Sequence, residues 1–406
     1  MTSPVSETAC PLPRAPPPPG RSGYNPVILL LIGWDDNLPK DDSTGVSPFE
    51  AAVTSAVTSP VASTLEKLGI KDKTSCLDFL DHLLRWVPEE NTQGKEIYDI
   101  LVVVGFIFDQ PSLKEYQTPI SPESAGRDLT WLSSWLVTFS QVMGLWMDTR
   151  DSMTKESLAT FANSPSYNVE EWGQETYTTF NEFFYRTLKD GSRPIASPDD
   201  PSTIVFPADC TFDVAFSIDA QDLISVKGLQ WKIQDLLQGS KYCDEFEGGV
   251  WCHAFLNTYN YHRQHAPVAG EVLEAKVIHG GCYVGVAVSD DGDLQHVRGL
   301  PKLSADDGSG YQFLQTRGMI VIDGGPVGLV AVLPIGMSQV SGVILDIEAG
   351  DTVEKGQNIA HFKFGGSDIV VVFQAKAGLT VESFDGLDRD NYGKVGTVLA
   401  MANLQQ

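Results

Sequence analysis

The sequence predicts an α+β protein in which a helical N-terminal region precedes a mainly antiparallel β domain. Apolar residues recur at helical spacing from Ser47 to Leu188, whereas short runs rich in Val, Ile and Phe, separated by Gly, Asp and Pro, follow residue 195. A stop signal containing Gly and Pro, Asp190-Gly191-Ser192-Arg193-Pro194, stands between the two patterns. The 406 residues are 42% hydrophobic, which is enough for a large core in two domains or in one elaborated domain.

The helical region is expected to cover residues 46–194. Its periodic segments include residues 62–68, 76–84 and 129–139, and its last helix is predicted from Thr176 to Leu188. Residues 1–45 are expected to form a flexible segment, because a polyproline tract occupies residues 11–20.

The β domain is expected to cover residues 195–406. Strands are predicted at residues 214–218, 270–278, 283–288, 318–322, 327–333, 342–346 and 369–373. Residues 342–360 alternate like two strands around an acidic turn. One mainly antiparallel β domain is the simplest packing of these strands.

The charge of the chain argues against two classes of partner. Lys and Arg number 28 against 53 Asp and Glu, a formal charge of -25, so nucleic acid and anionic membrane surfaces are repelled.

The longest apolar runs, residues 26–34 and 100–108, are shorter than the roughly 20 residues that span a bilayer. The N-terminus carries no basic presequence, so we expect a cytoplasmic protein without stable membrane insertion. Six cysteines without a Cys-x-x-Cys pair favour reduced thiols.

A Gly-Gly-Ser sequence near the C-terminus, residues 365–367, lies between two apolar runs that resemble strands. The Ser367 hydroxyl lies close to the Gly366 carbonyl, so an N-to-O acyl shift needs only a close approach and a base. Elimination of the resulting ester would split the chain after Gly366 and convert residue 367 to dehydroalanine, which hydrolyses to a pyruvoyl group. The alternative is an ordinary hairpin turn.

Two histidines and an aspartate could supply the base. His262 and His265 stand three residues apart beside Arg263, and histidine moves protons near neutral pH. Asp209 interrupts an apolar run and could orient a histidine, because an unpaired carboxylate is costly there. Two alternatives stay open: structural histidines, or a metal cluster with His253 or His279. Metal ranks last, since His-x-x-His without a carboxylate ligand is poor zinc spacing, so we predict no metal.

These motifs, in this order, resemble the phosphatidylserine decarboxylase family of pyruvoyl-dependent enzymes. The resemblance covers roughly residues 175–380 and is carried by four segments: Phe180 to Pro194, Pro207-Ala208-Asp209, the Tyr-His-Arg-x-His-x-Pro block at 261–267, and Lys363 to Ser367. Within the family, the sequence looks more similar to soluble fungal members that act on aromatic amino acids such as L-tryptophan. Phe255-Leu256-Asn257, Ile335-Gly336-Met337 and the long helical region carry this closer likeness.

The resemblance implies a β domain of the family's type and a self-processing decarboxylase. Asp209 and His262 would activate Ser367 for cleavage after Gly366, giving a β chain of residues 1–366 and an α chain of residues 367–406 joined by interleaved strands. The pyruvoyl group at position 367 would form a Schiff base with the substrate amine and accept electrons as carbon dioxide leaves. His262 would return a proton to the carbon, supported by His265.

Departures from the family pattern bear on the substrate. Gly365 stands where most phosphatidylserine-specific members have Leu, and Cys210 stands where a Gly is usual. Residues 335–342 replace a strand rich in Gly and Asn. The changes at 365 and 210 remove no reacting group. The replacement at residues 335–342, with the missing membrane anchor and the acidic surface, favours a free amino acid, and phosphatidylserine is the alternative substrate.

A non-catalytic function is the second alternative. Residues 342–363 look like a biotinyl or lipoyl half-barrel, so the chain could be a carrier-like module or an uncleaved paralogue. Lys363, however, lies among aromatic neighbours instead of at a Met-Lys-Met tip. The sequence leaves the oligomeric state open, including a homo-oligomer.

Overall fold

The first half of the chain is helical and the second half is built of strands, as the sequence predicts. The computed structural model describes residues 23–226, 229–283, 286–288, 294–296, 310–337, 342–364, 366–387 and 392–404. The polyproline tract and Cys10 therefore lie outside the described residues. Cys76, Cys210, Cys252 and Cys282 are buried free thiols, and Cys243 is a partly exposed one.

The N-terminal region contains nine α-helices that pack into one apolar core. They are α1 (Pro26–Asp36), α2 (Pro48–Val57), α3 (Ala62–Lys67), α4 (Lys73–Leu83), α5 (Glu96–Phe108), α6 (Pro111–Lys114), α7 (Trp131–Met147), α8 (Lys155–Asn163) and α9 (Phe180–Phe184) among the described residues. Side chains fix several starts: Asp72 and Thr154 form capping boxes at α4 and α8.

One sequence expectation in this region meets a different outcome. Helix α1 falls inside the segment expected to be flexible, and its Ile28 and Leu31 are fully buried. The apolar run at residues 100–108 forms the buried part of α5. Among the described residues, none of the helices has both the length and the apolar character needed to cross a membrane. The boundary between the two regions at residue 194 stays a prediction.

The predicted last helix, Thr176 to Leu188, is wrong in length. Only α9 is α-helical there, because the helix ends at Phe184 and Tyr185 leaves the helical conformation. Leu188 forms a β-bridge with Trp172, and the Gly173 amide donates to the Thr187 carbonyl at 2.9 Å. These contacts hold residues 187–188 beside residues 172–173, a pairing that a continued helix would exclude.

The second half contains 17 described strands. They are β1 (Thr203–Val205), β2 (Cys210–Ser217), β3 (Leu223–Val226), β4 (Leu229–Lys232), β5 (Val250–Leu256), β6 (Arg263–His265), β7 (Gly270–Ile278), β8 (Val286–Val288), β9 (Leu294–His296), β10 (Arg317–Asp323), β11 (Leu329–Met337), β12 (Val343–Leu345), β13 (Thr352–Val353), β14 (Asn358–Phe362), β15 (Gly366–Phe373), β16 (Tyr392–Gly393) and β17 (Val398–Met401). A short helix, α10 (Ile233–Leu236), follows β4.

One sheet of eight strands dominates this half. Its order is β13-β7-β10-β11-β15-β5-β2-β16, and every strand pairing in it is antiparallel. A smaller sheet, β12-β14-β6, pairs residues 343–345, 358–362 and 263–265. The structure confirms the α+β class and the mainly antiparallel β half.

The strand predictions differ from the structure in detail. The acidic segment at 342–360 contains β12, β13 and the start of β14, so it holds three strand pieces where two were predicted. A 3-10 turn at Gly325–Val327 delays the strand predicted at 327–333 until Leu329. Only residues 286–288 of the strand predicted at 283–288 are strand, and residues 284–285 lie outside the described part.

The central strand β15 separates two apolar cores. Ile369, Val371 and Phe373 pack in the core that also contains the helices, whereas Val370 and Val372 pack with Trp231 and Trp251 on the other face. Residues of a strand alternate between the faces of a sheet. Both faces of β15 are therefore covered, which fixes its register.

Candidate active site

The Gly366–Ser367 peptide lies at the start of β15, inside the large sheet. Ser367 is paired in register with Leu256 of β5 and with Gly336 of β11. Just before it, the Phe364 amide donates to the side chain of Asn181 in α9 at 2.8 Å. Gly365 and the Ser367 side chain lie outside the described residues. The backbone at the expected cleavage point is thus held by strands on both sides and by a helix in front.

Asp209 lies just before β2, and its carboxylate is nearly completely buried. Arg193 donates to it through Nε at 2.9 Å and Nη2 at 2.5 Å, and the Val395 amide and the Tyr392 hydroxyl donate at 2.9 and 3.2 Å. Burial disfavours the Arg193 charge, but hydrogen bonds to Asp209 and Glu171 outweigh it and raise the pKa of Arg193. Asp209 is therefore a fixed carboxylate with its charge balanced by Arg193.

His265 is connected to this carboxylate through an aromatic neighbour. Its Nδ1 lies 2.6 Å from the Gly356 carbonyl, which can only accept, so Nδ1 carries the proton and Nε2 accepts from the Tyr261 hydroxyl at 3.1 Å. The Tyr261 ring in turn lies 6.0 Å from the Arg193 guanidinium. Burial lowers the pKa of His265, so the ring is neutral at neutral pH.

His262 occupies a different environment from His265. Its ring is fully buried and stacks on Phe184 with centroids 3.8 Å apart. By distance and angle, neither ring nitrogen makes a hydrogen bond within the described part of the chain, although the backbone of Asn257 and Asn260 lies near enough to favour the charged ring. Burial, assisted by the charge of Arg186, lowers the pKa of His262 well below its usual value. The contacts described above thus connect Asp209 to His265, through Arg193 and Tyr261, and they do not include His262. The functions predicted for these histidines stay predictions.

A cavity of about 380 Å³ opens beside Asp209. Trp172, Tyr259 and Tyr392 contribute aromatic walls, and Arg186 and Arg193 contribute cations. Such a volume is typical of sites for small molecules. The Arg186 guanidinium is almost fully buried, and its Nε has no partner among the described groups.

The register of the sheet relates this cavity to Ser367. Thr211 lines the cavity and pairs with Phe255 of β5. The next residue of β5, Leu256, pairs with Ser367. Two steps between neighbouring strands, of about 4.8 Å each, separate β15 from β2. The cavity and the Gly366–Ser367 peptide therefore lie at the same end of the sheet, roughly 10 Å apart.

A second polar cluster next to Ser367 was missed by the sequence analysis. His253 on β5 lies 3.1 Å from Asp368 Oδ2 through Nε2 and 3.1 Å from Asp213 Oδ2 through Nδ1. Tyr311 donates its hydroxyl to Asp368. Burial opposes a charge on His253, but Asp368 and Asp213 outweigh it and raise its pKa to about 10. His253 was considered only as a metal ligand.

A sequence signal for this cluster did exist. His253 and Asp368 are polar residues inside apolar strands, in Val250–Leu256 and Gly366–Phe373. Buried charged groups are costly unless they are paired, so each predicts a partner of opposite charge. The pairing of the two strands was the missing information.

The lysine of the carrier-like segment is engaged in an ion pair. Lys363 Nζ lies 2.7 Å from Asp148 Oδ2, which ties the end of β14 to the helical region. A carrier domain presents its lysine at an exposed tip. This contact favours a structural function for Lys363.

Comparisons with known proteins give a consistent result. The family model described as phosphatidylserine decarboxylase matches residues 180–396. Phosphatidylserine decarboxylase proenzyme 3 of Schizosaccharomyces pombe is 33% identical over 226 residues, 55% of this chain and 21% of that protein. The phosphatidylserine decarboxylase proenzyme of Fusobacterium nucleatum is 30% identical over 54% of this chain and 69% of its own length. Decarboxylase iboD of Amanita muscaria is 26% identical over 62% of this chain and 77% of its own length. The chain thus spans about a fifth of the S. pombe relative.

Proposed function

Because the chain belongs to the phosphatidylserine decarboxylase family, we propose that it cleaves itself between Gly366 and Ser367 and then decarboxylates a free aromatic amino acid. Members of this family are pyruvoyl-dependent carboxy-lyases, made as proenzymes whose cofactor derives from a serine. Ser367 follows a glycine in the segment that resembles the family's cleavage motif. It is the residue to which we assign the pyruvoyl group.

The surroundings of position 367 fit such a group. Pairing with Leu256 and Gly336 places position 367 inside the sheet, with a neighbouring strand on each side. When bound, the pyruvoyl carbonyl supplies an electron-accepting group for a substrate amine. The protein contributes the binding site, the exclusion of water and the groups that move protons.

We assign base and acid functions to the neutral histidines. A neutral imidazole accepts a proton, and the lowered pKa values of His262 and His265 keep both rings neutral at neutral pH. His262, whose ring nitrogens make no hydrogen bond among the described groups by distance and angle, is the proposed base for Ser367. Asp209 is proposed to orient His265 through Arg193 and Tyr261, and His265 to support proton return to the substrate carbon.

The cavity beside Asp209 is the observation that carries the substrate proposal. Trp172, Tyr259 and Tyr392 offer flat apolar faces, on which an aromatic side chain packs well. Arg186 also lines the cavity; its Nη2 is held by the Tyr259 and Asn260 carbonyls, and its positive charge favours a ligand that carries a carboxylate. The chain's formal charge of -25 disfavours approach to an anionic membrane surface.

The substrate experiment measures carbon dioxide release without added pyridoxal phosphate. The panel contains tryptophan, tyrosine and phenylalanine, with leucine and glutamate as non-aromatic controls and phosphatidylserine vesicles as a separate arm. We expect release from aromatic amino acids, with tryptophan first. Turnover of the vesicles alone would refute the amino acid proposal.

Phosphatidylserine is the second candidate substrate. It is favoured by the names of the S. pombe and F. nucleatum relatives, which are both phosphatidylserine decarboxylase proenzymes. The vesicle arm tests it directly.

Self-cleavage is tested separately from turnover. Denaturing gels and intact mass should show two chains, residues 1–366 and 367–406, and Ser367→Ala should give one full-length chain. A single full-length band from a preparation that releases carbon dioxide would contradict the processing step.

A further inference from the structure

The proposed cleavage changes what holds the start of β15. In the intact chain, residue 367 is fixed by its peptide bond to Gly366. After cleavage the serine nitrogen is lost as ammonia when the pyruvoyl carbonyl forms, so position 367 has neither that bond nor a backbone N–H. The first N–H of the new chain belongs to Asp368. Ends of strands fray unless a side chain ties them down.

Asp368 has the contacts needed to tie this end down. Its side chain is fully buried, and Oδ2 accepts from Tyr311 and lies 3.1 Å from His253 Nε2. His253 and Tyr311 both precede the cleavage point, so the pair would join the two chains once the peptide is cut. Removing one partner of a buried ion pair is costly, because the other charge stays buried without a counter-charge.

The geometry of β2 supports this function for the pair. The register between β2 and β5 shifts between Phe212 and Val214, so Asp213 is the extra residue of a β-bulge. Bulges re-aim a side chain, and here the Asp213 carboxylate lies 3.1 Å from His253 Nδ1. Gln312 Nε2 lies 3.4 Å from His253 Nε2. The His253 ring therefore lies between the carboxylates of Asp213 on β2 and Asp368 on β15, the two strands that flank β5.

We propose that the Asp368–His253 pair is a positioning device that holds the new chain end at residue 367 in register on β5 after self-cleavage. Asp368 and His253 are positioning residues, because they affect the reaction only by fixing the position of residue 367. The proposal rests on the proposed cleavage between Gly366 and Ser367. It assigns Asp368 a function that matters only in the cut protein.

This dependence on cleavage separates the proposal from a general structural role. A structural ion pair stabilises the cut and uncut proteins equally. A pair that replaces the lost peptide bond protects β15 much more in the cut protein. The test therefore introduces Asp368→Asn both into the wild-type chain and into Ser367→Ala, which stays uncut.

The measurement is hydrogen exchange of the amides of residues 369–373, read by mass spectrometry. We expect Asp368→Asn to speed exchange about tenfold or more in the cut protein and much less in the uncut one. The processed fraction should stay at the wild-type level, and Asp368→Glu should restore part of the protection. In the cut enzyme, Asp368→Asn should lower kcat by a larger factor than it raises KM.

Asp35→Asn is the matched control. Asp35 is a fully buried carboxylate that pairs with Lys73 at 2.6 Å in the helical region. Its substitution should lower the melting temperature equally in both backgrounds and leave exchange in β15 unchanged. If Asp368→Asn fails to fold, Tyr311→Phe removes only one hydrogen bond to Asp368 and should show the same dependence on cleavage to a smaller degree.

Two results would overturn the proposal. One is an equal gain of exchange in the cut and uncut backgrounds, which assigns the pair a purely structural function. The other is a folded Asp368→Asn variant that remains uncut, which assigns Asp368 to the cleavage step. A wild-type chain that never cleaves would instead refute the proposed function, and the gel distinguishes that case.

Discussion

Asp209 illustrates how far a single residue can be predicted. Its position in an apolar run predicts a buried carboxylate with a partner, and the structure buries it. The partner is Arg193, which stands in the stop signal after the helical region, 16 residues earlier. Composition alone cannot identify this partner, because the contact depends on the turn at residues 190–194 folding back onto β2.

Loss of Arg193 should leave Asp209 buried without its counter-charge. We expect Arg193→Met to lower the free energy of unfolding by about 3 kcal/mol, because the carboxylate keeps its desolvation cost and loses its ion pair. Urea unfolding measures the change. Lys394→Met is the control: this half-exposed lysine contacts Glu171 at 3.0 Å and should cost less than about 1 kcal/mol. Equal losses in the two variants would argue against a buried, charge-balanced Asp209.

His262 has a more specific prediction. Replacement by Gln keeps the volume beside Phe184 but removes a base with a free nitrogen, so we expect the chain to stay uncut and without turnover. His361→Gln is the control, because His361 is a partly buried histidine that already pairs with Asp346, so this variant should process normally. Normal processing of His262→Gln would remove His262 from the base role and leave His265 as the nearest alternative.

Strands of the large sheet were predictable to different degrees. β7 and β15 were predicted because apolar runs with turn residues on both sides mark them. β5 was missed, although its seven residues are all buried, because Val-Trp-Cys-His-Ala-Phe-Leu shows no alternation between apolar and polar. A strand covered on both faces loses the period-2 pattern. α9 was predicted too long because the bridge between Trp172 and Leu188 is a tertiary contact.

The pairing of β5 with β15 depends on Gly249. A Cβ at this position would lie 2.0 Å from the Phe373 carbonyl oxygen, so one of the two strands must move. We expect Gly249→Ala to lower the free energy of unfolding by about 3 kcal/mol and to reduce self-cleavage, since Ser367 pairs with β5. Unfolding curves and gels measure both. Gly33→Ala, in α1 with nothing within 4 Å, should be neutral or stabilising.

The whole molecule should lose stability above neutral pH. The pKa of His253 is raised to about 10 in the folded protein, against about 6.5 when unfolded, so its contribution is complete below pH 6.5 and is lost as pH rises toward 10. Between pH 7 and 8.5 we expect a loss of up to about 1.4 kcal/mol per pH unit in unfolding experiments. His253→Gln should flatten this slope. His265→Gln should keep it, because the pKa of His265 is lowered and its ring is neutral in both states there.

The position of β15 has a consequence for the lifetime of the enzyme. It is the fifth of eight strands, covered on both faces, and all of it except Gly366 lies in the segment that cleavage would detach from residues 1–366. Such a strand cannot leave and be replaced without unfolding the sheet. A cofactor made from position 367 would therefore not be exchangeable: each polypeptide would make it once, and a molecule whose pyruvoyl group is damaged would be renewed only by synthesis of a new chain.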